Sequence, residues 1–263
     1  MLHIIACVKV VTDPEAPAST FKIDTETRRV LPGQGVPPVL NPYDENALEA
    51  ALRIKEAQEA KITVISAGAA VPKAVIKKCL AVGADDLIVI EDGVFEDADS
   101  AATTAILAAA IRKLGAYDMV LTGRMAADTN AGQVGAGLAE MLGVSGVTVA
   151  RKIDVADGKV RIERALTDGY DVVEVSLPCV ITVSHELGEL RQANIKGLMA
   201  AQKQPFTTWQ TADLDVNAAD GNRTRITRLY IPERDTVCEF AEGETPEEAG
   251  ANLALTLQQN ELI

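Results

Sequence analysis

The stretch KITVISAGAAVPKAVIKKCLAVGADDLIVIED, residues 61–92, decides the fold. A β-branched apolar run (61–68) leads into an amphipathic segment closed by Gly83, and a second apolar run (85–92) follows. Two buried strands joined by a helix make a right-handed βαβ unit, which sets parallel strands side by side with helices over the sheet. The alternation extends in both directions. HIIACV (3–8) reads as a strand, and NPYDENALEAALRIKEAQEA (from 41) as a helix with Asn41 as candidate cap and Pro42 in its first turn. Ala47, Leu48, Ala51, Leu52 and Ile54 form the apolar stripe of that helix. Residues 99–114 read as a helix, YDMVLTG (117–123) as a strand, and Ala131 to Leu142 as a further helix. The expected fold is α/β, a Rossmann-like parallel sheet with helices on both faces. Ligands in such sheets bind beyond the carboxyl ends of the strands.

Three segments depart from the alternation. Residues 9–40, punctuated by Pro14, Pro17, Pro32, Gly33, Gly35, Pro37 and Pro38, read as a long irregular excursion beside the end of the first strand, in the position of a lid or partner surface. Residues 147–185 alternate polar and apolar residues, with turn signals at Asp157-Gly158 and Asp168-Gly169, and read as an antiparallel meander added to the sheet. Beyond 186 the chain turns polar and irregular, then ends in a helix with Thr245 as cap and Glu247 and Glu248 in its first turn. Two regions are therefore expected: 1–185, an α/β domain with added strands, and 186–263, an irregular segment and extended C-terminal arm.

A net charge of −13 and only 3% aromatic residues exclude a nucleic-acid reader, which needs a basic face and stacking platforms. The cysteines Cys7, Cys79, Cys179 and Cys238 are dispersed and form no CxxC pair, and His3 and His185 are the only histidines. No metal cage and no set of catalytic residues can be assembled, so buried reduced cysteines in a soluble, cytoplasmic protein are expected, without membrane insertion.

The chemistry concentrates in VLTGRMAADTNAGQVGAGLAEMLG, residues 120–143. Its loop is neither a Walker loop nor GxGxxG. Gly123 permits close approach to the backbone, and the amides from Asp128 to Gln133 lie at or near a helix start, where unpaired N–H groups and the helix dipole form an anion site without any lysine. Thr129, Asn130 and Gln133 add neutral donors, while Asp128 could accept from a hydroxyl or brace the loop. The plain alternative is a helix capped by Asp128 or Thr129.

CVKVVTD (7–13), NPYDENALEAALRIKE (41–56), CLAVGADD (79–86), GRMAADTNAGQVG (123–135) and LPCVITV (177–183) occur in the order seen in the small (β) subunit of electron-transfer flavoprotein, and the chain resembles that family over essentially its whole length. The resemblance implies a fold of the adenine-nucleotide α-hydrolase type. It also implies a heterodimer in which the α subunit holds the redox FAD and this subunit buries a structural AMP. Carried onto this sequence, the nucleotide contacts fall on Cys7, on Asn41, Pro42, Tyr43 and Asp44, on Ala67, and on the loop Gly123, Arg124, Met125, Ala126, Ala127, Asp128, Thr129, Asn130, Ala131, Gly132, Gln133 and Val134. The AMP phosphate would be neutralised by backbone amides rather than by Lys or Arg. RQANIKGLMAAQKQPF (191–206) resembles the family's dehydrogenase-recognition segment. There Ile195, beside Arg191 and Lys196, would be the apolar anchor, with Leu198 and Met199 packed inside. Implied partners are the α subunit, acyl-CoA or other flavin dehydrogenases, and a membrane quinone oxidoreductase as acceptor.

One departure opens an alternative. Electron-bifurcating relatives, which hold a second FAD in this subunit and oxidise NADH, often read DGDTAQVGP where this chain has DTNAGQVGA (128–136). RITRLYIPE (225–233) with an acidic terminal helix is closer to members that carry AMP. A rival of another class is a free-standing adenine-nucleotide-binding protein, hydrolase or adenylating enzyme. The enzymes of that class would need a phosphate loop such as SGGxDS after the first strand, and CVKVVTDPEA has none.

Overall fold

Residues 1–31, 33, 35–216, 221–232 and 238–263 are described in a computed structural model of the chain. Pro32 and residues 233–237, which fall in two of the segments expected to be irregular, lie outside these. Leu2–Cys7 forms β1, buried from Ile4 to Cys7. The excursion after it is more ordered than its prolines and glycines suggested. Val10–Thr12 (β2) pairs antiparallel with Pro38–Leu40 (β5), and Lys22–Asp24 (β3) with Arg29–Leu31 (β4). Three-residue strands are too short to leave an alternation pattern in sequence, so only their turns were visible.

The βαβ run then follows: α1 (Pro42–Ala57), β6 (Ala60–Gly68), α2 (Lys73–Ile76), α3 (Lys78–Val82), β7 (Asp86–Glu91), α4 (Ser100–Leu114), β8 (Met119–Gly123) and α5 (Val134–Leu142). The helix expected over 71–83 is thus two short pieces, closed at Gly83 with φ 125°. The start of α5 also lies beyond the expected Ala131, because Asn130 (φ 51°) and Gly132 (φ 62°) occupy left-handed conformations that a right-handed helix cannot contain.

Ser145–Ala156 (β9), Lys159–Leu166 (β10) and Gly169–Ser176 (β11) form the expected antiparallel meander. Cys179–Val183 (β12) does not continue it: this strand inserts between β8 and β9 and runs parallel to both. All of its residues are buried, and a strand covered on both faces shows no alternation from which its direction can be read. After Ile195–Lys203 (α6), Thr207–Trp209 (β13) adds a parallel edge strand beside β7 that had no sequence signal. The sheet order is β11-β10-β9-β12-β8-β1-β6-β7-β13.

Two apolar layers cover this sheet. Ile4, Ala6, Ile62, Val64 and Leu121 pack on one face with Leu48, Leu52 and Cys79 of α1 and α3. Ile5, Ile65, Val120 and Val180 pack on the other with Ile106, Ile111 and Leu138 of α4 and α5. Each fully buried Ile or Leu contributes roughly 2 kcal/mol. Helix connections leave β1 toward β6 on one side and return to β8 on the other, so the strand order reverses between β1 and β8. That reversal opens the crevice used by ligands in this architecture.

The chain divides into two compact units, Met1–Thr227 and Arg228–Ile263. The first takes in α6 and β13, so it extends past the boundary expected at residue 185. In the second, Pro246–Gln259 forms α7, with the Thr245 hydroxyl accepting from the Glu248 N–H as the cap reading required. No helix among the described residues is long and apolar enough to cross a membrane.

Helix α5 approaches the sheet through Gly135, where a Cβ would overlap the Thr182 methyl and come within 2.7 Å of the Thr122 hydroxyl. Gly135→Ala gains about 1 kcal/mol of helix propensity but overpacks this contact, typically by about 1–3 kcal/mol. The steric effect is expected to win. A urea midpoint lowered relative to wild type, with an unchanged slope, is the expected result.

Candidate functional site

The first turn of α1 ties the ends of β1 and β8 together. Asn41 is fully buried (0% exposed). Its side chain makes no cap bond to α1. Its Nδ2 instead donates to the Met125 carbonyl (2.9 Å), and its Oδ1 accepts from the Ala127 N–H (3.0 Å). Asn41 is thus the N-cap residue of α1 as expected, with its carbonyl accepting from the Asp44 and Glu45 N–H groups, but its side chain serves the 123–130 loop and not the helix. Asp44, 8% exposed, accepts from the Lys9 N–H at 2.7 Å and from the Gly123 N–H at 3.0 Å. Gly123 has no room for a side chain, as a Cβ there would lie 2.6 Å from the Tyr43 carbonyl carbon.

This corner floors a cleft of about 1080 Å³ at the carboxyl end of the sheet. Of the residues expected at the site, Cys7, Asn41, Asp44, Ala67, Gly123, Arg124, Met125, Ala126, Thr129, Ala131, Gly132, Gln133 and Val134 line it. Pro42, Tyr43, Ala127, Asp128 and Asn130 do not line it. Tyr43 lies under the Arg124 guanidinium, 4.9 Å from ring centre to Cζ, and Asp128 pairs with Lys9 at 2.7 Å. Asp128 therefore braces the loop and does not cap the helix, whose N-cap is Gln133. Among the described residues, the N–H groups of Ala131, Gly132, Gln133 and Val134 find no acceptor. Two left-handed residues delay the helix, and the amides ahead of it and in its first turn stay unpaired along the wall.

Cations line the cleft as well, beside the carboxylates of Asp44, Glu96, Asp97 and Asp99, where amides alone were expected. Lys9, Arg28, Arg29, Arg124, Arg223 and Arg225 line it. Lys9 is offset by Asp128, and Arg29 by Glu96 (2.7 Å) and Asp97 (3.2 Å). No carboxylate pairs with Arg28, Arg124, Arg223 or Arg225 among the described residues. The sequence signal for part of this was GNRTRITR (221–228), a basic run in a strongly acidic chain. Free amides and unpaired guanidinia suit a phosphorylated ligand. Small residues at the strand ends, Ala67, Gly68 and Gly123, leave space for a flat group over the sheet. Burial, then the Asp44 charge, pushes the Cys7 thiol up to about 12, so it is no nucleophile. Among the described residues no cluster of His, Cys, Asp and Glu could hold a metal.

The family model for the electron transfer flavoprotein domain matches residues 30–214. The chain belongs to the electron transfer flavoprotein family. It is 35% identical to the caffeyl-CoA reductase–Etf complex subunit CarD of Acetobacterium woodii, over 100% of both chains. It is 36% identical to the electron transfer flavoprotein subunit beta of Clostridium acetobutylicum, over 88% of this chain and 89% of that one. Protein FixA of Azorhizobium caulinodans is 32% identical over 92% and 90%. The chain is thus of the β-subunit type, an electron-transfer component of a flavin-containing complex. Such a flavoprotein subunit carries electrons and needs no acid–base set.

The segment expected to recognise dehydrogenases begins α6. Ile195 is 77% exposed, at its first residue, with Asn194 capping the helix through the Gly197 N–H (2.8 Å). Leu198 (44% exposed) and Met199 (58%) are not packed inside as expected: α6 rests on α3 through Gly197 and buries Ala201, which turns both toward the open face. Lys196 is exposed. Arg191 is committed elsewhere, to buried Glu49 at 3.0 Å and to Glu56. Burial would raise the Glu49 carboxyl, but Arg191 and Arg53 outweigh it and hold it below the usual range. Arg191 therefore anchors the segment to α1 and is not a free docking cation.

Burial raises the Asp44 carboxyl from 3.8 to about 6 against the pull of the Lys9 and Gly123 N–H donors. Because the folded value lies above the unfolded one, the stabilising contribution is complete below about pH 4. It is lost as pH rises through about 6, a change of about 3 kcal/mol. Asp44→Asn presents an amide NH₂ to one of two N–H donors and is expected to be less stable throughout. Its stability between about pH 4 and 7 should nonetheless fall less than that of wild type by roughly 2–3 kcal/mol in urea titrations.

Proposed function

We propose that this chain is the small subunit of a heterodimeric electron transfer flavoprotein. In this proposal an adenine nucleotide sits in the cleft, an α subunit holds the redox FAD, and α6 docks flavin dehydrogenases. The observation that carries it is the run of free amides from Ala131 to Val134 facing a cleft at the strand-order reversal, on a chain of this family. Electron hops need proximity between flavins, which accords with a cleft built for holding. Asn41 and Asp44 would keep the 123–130 loop in the shape that receives the phosphate. The arginines would neutralise it. A nucleotide bound only by the folded chain stabilises it by mass action, so its loss should impair assembly first.

In the leading form the nucleotide is AMP. A second form, in which this subunit holds FAD and oxidises NADH, is favoured by the extent of the cleft. At about 1080 Å³ it continues past the amides to Arg28, Arg29, Arg223 and Arg225 over the β7 end of the sheet, a span suited to a dinucleotide. Both forms place an adenylate group on the amides.

Purification with the co-expressed α subunit, followed by denaturing extraction and chromatography, distinguishes them. One FAD and one AMP per heterodimer support the carrier, and two FADs the NADH-oxidising form. A colourless homo-oligomer that hydrolyses ATP would overturn both. For docking, Ile195→Ala is expected to raise the KM for a reduced dehydrogenase by about tenfold or more, as loss of a central apolar anchor does. The thermal midpoint should stay at its wild-type value, since the side chain is exposed.

A further inference from the structure

The outer wall of the cleft is a segment from late in the chain, residues 222–226, and one carboxylate holds it. The Asp99 Oδ1 caps α4, accepting from the Ala101 and Ala102 N–H groups at 2.9 Å. Its Oδ2 faces the other way and accepts from the N–H groups of Arg223 and Thr224, both at 2.7 Å, and from the Thr224 hydroxyl at 3.0 Å. Asn222 closes the junction. Its Oδ1 accepts from the Asp99 N–H at 2.9 Å, and its Nδ2 donates to the Asp97 carbonyl at 3.1 Å. Among the described residues, 222–226 make no other hydrogen bond to the body of the first unit. Residues 222–226 are exposed, yet all five line the cleft and bring Arg223 and Arg225 to it.

We propose that Asp99 is a positioning residue for the nucleotide: it straps residues 222–226 across the β7 end of the cleft and so slows release of the ligand held there. The inference rests on the adenine-nucleotide assignment of the cleft and adds to it the element that closes it. Two N–H donors and a hydroxyl on one carboxylate oxygen are charge-assisted bonds, the strong class. Burial opposes ionisation of Asp99, and the donors of Ala102, Arg223 and Thr224 outweigh it and hold the carboxyl at about 2. The carboxylate that holds the strap is therefore ionised near neutral pH, and the control of the strap is geometric.

Cap and strap can be separated. Asp99→Asn keeps an oxygen for the α4 cap, because Asn caps as well as Asp, but turns an NH₂ toward the strap amides. Asn222→Ala removes the two bonds that Asn222 makes to the Asp99 N–H and the Asp97 carbonyl and leaves the Asp99 carboxylate untouched. Full-length chain, purified with whatever subunit accompanies it, is assayed for trypsin cleavage after Arg223 and Arg225 and for release of its bound adenine nucleotide into excess competitor. Both variants are expected to be cleaved and to release nucleotide about tenfold faster, in keeping with the loss of charge-assisted bonds in Asp99→Asn and of two neutral bonds in Asn222→Ala. Association rates and unfolding midpoints should change little. Release within twofold of wild type in either variant overturns the proposal, whether or not cleavage rises. An effect in Asp99→Asn alone assigns the change to the α4 cap and also overturns it. A wild-type chain that yields no adenine nucleotide overturns the assignment of the cleft itself, an outcome told apart by the trypsin arm, which reports the strap independently of any ligand.

Discussion

The buried polar corner made by Asn41 and Asp44 is the constraint on which the rest of the site depends. β1 and β8 are neighbours in the sheet, but their ends diverge into separate loops, and no apolar contact could fix those loops to better than an ångström. Four hydrogen bonds from one helical turn do so, to Lys9, Gly123, Met125 and Ala127. The bonds are costly to leave unmade at such low exposure. Gly123 follows from the same corner, because the carboxylate that holds its N–H occupies the space of its side chain.

Once that corner is set, the 123–134 loop is free to present its backbone outward. A helix that began at Ala131 would leave its first amides equally unpaired and engage only the Val134 N–H. The left-handed residues Asn130 and Gly132 postpone it and keep that N–H unpaired as well. The cations then complete the site from remote parts of the chain: Arg28 and Arg29 from the first excursion, Arg223 and Arg225 from beyond β13. A chain with net charge −13 thus concentrates unpaired positive charge in one cleft. This local charge is what a small phosphorylated ligand would meet.

Where periodicity was long, the sequence was legible. β1, β6, β7, α1, α4 and the meander follow from runs long enough to show their period, and the cap at Thr245 from a single motif. Three-residue strands such as β2 to β5 and β13 carry no period and were missed. β12 shows why a buried strand can be found but not oriented: CVITV is apolar at every position, so nothing distinguishes a return to the sheet centre from one more hairpin. At the site, the loop and the first turn of α1 were visible as motifs. The arginine end was not, because its members are separated by nearly 200 residues and meet only through the fold. Leu198 and Met199 were misplaced for a local reason: the contact face of α6 is set by Gly197 and Ala201, small residues that a hydrophobicity pattern passes over.

The position of β12 carries a consequence for how the molecule is made. β8 pairs with β1 on one side, but its other side stays open until Cys179–Val183 has been synthesised, after the whole meander. The strap comes later still, at 222–226. A nascent chain emerging from the ribosome therefore exposes the apolar edge of β8 for some sixty residues of elongation. It cannot close the cleft until most of its length is out. A chain truncated between Trp209 and residue 222 would keep every strand of the sheet and lose only the outer wall of the cleft, so any ligand held there would be enclosed late.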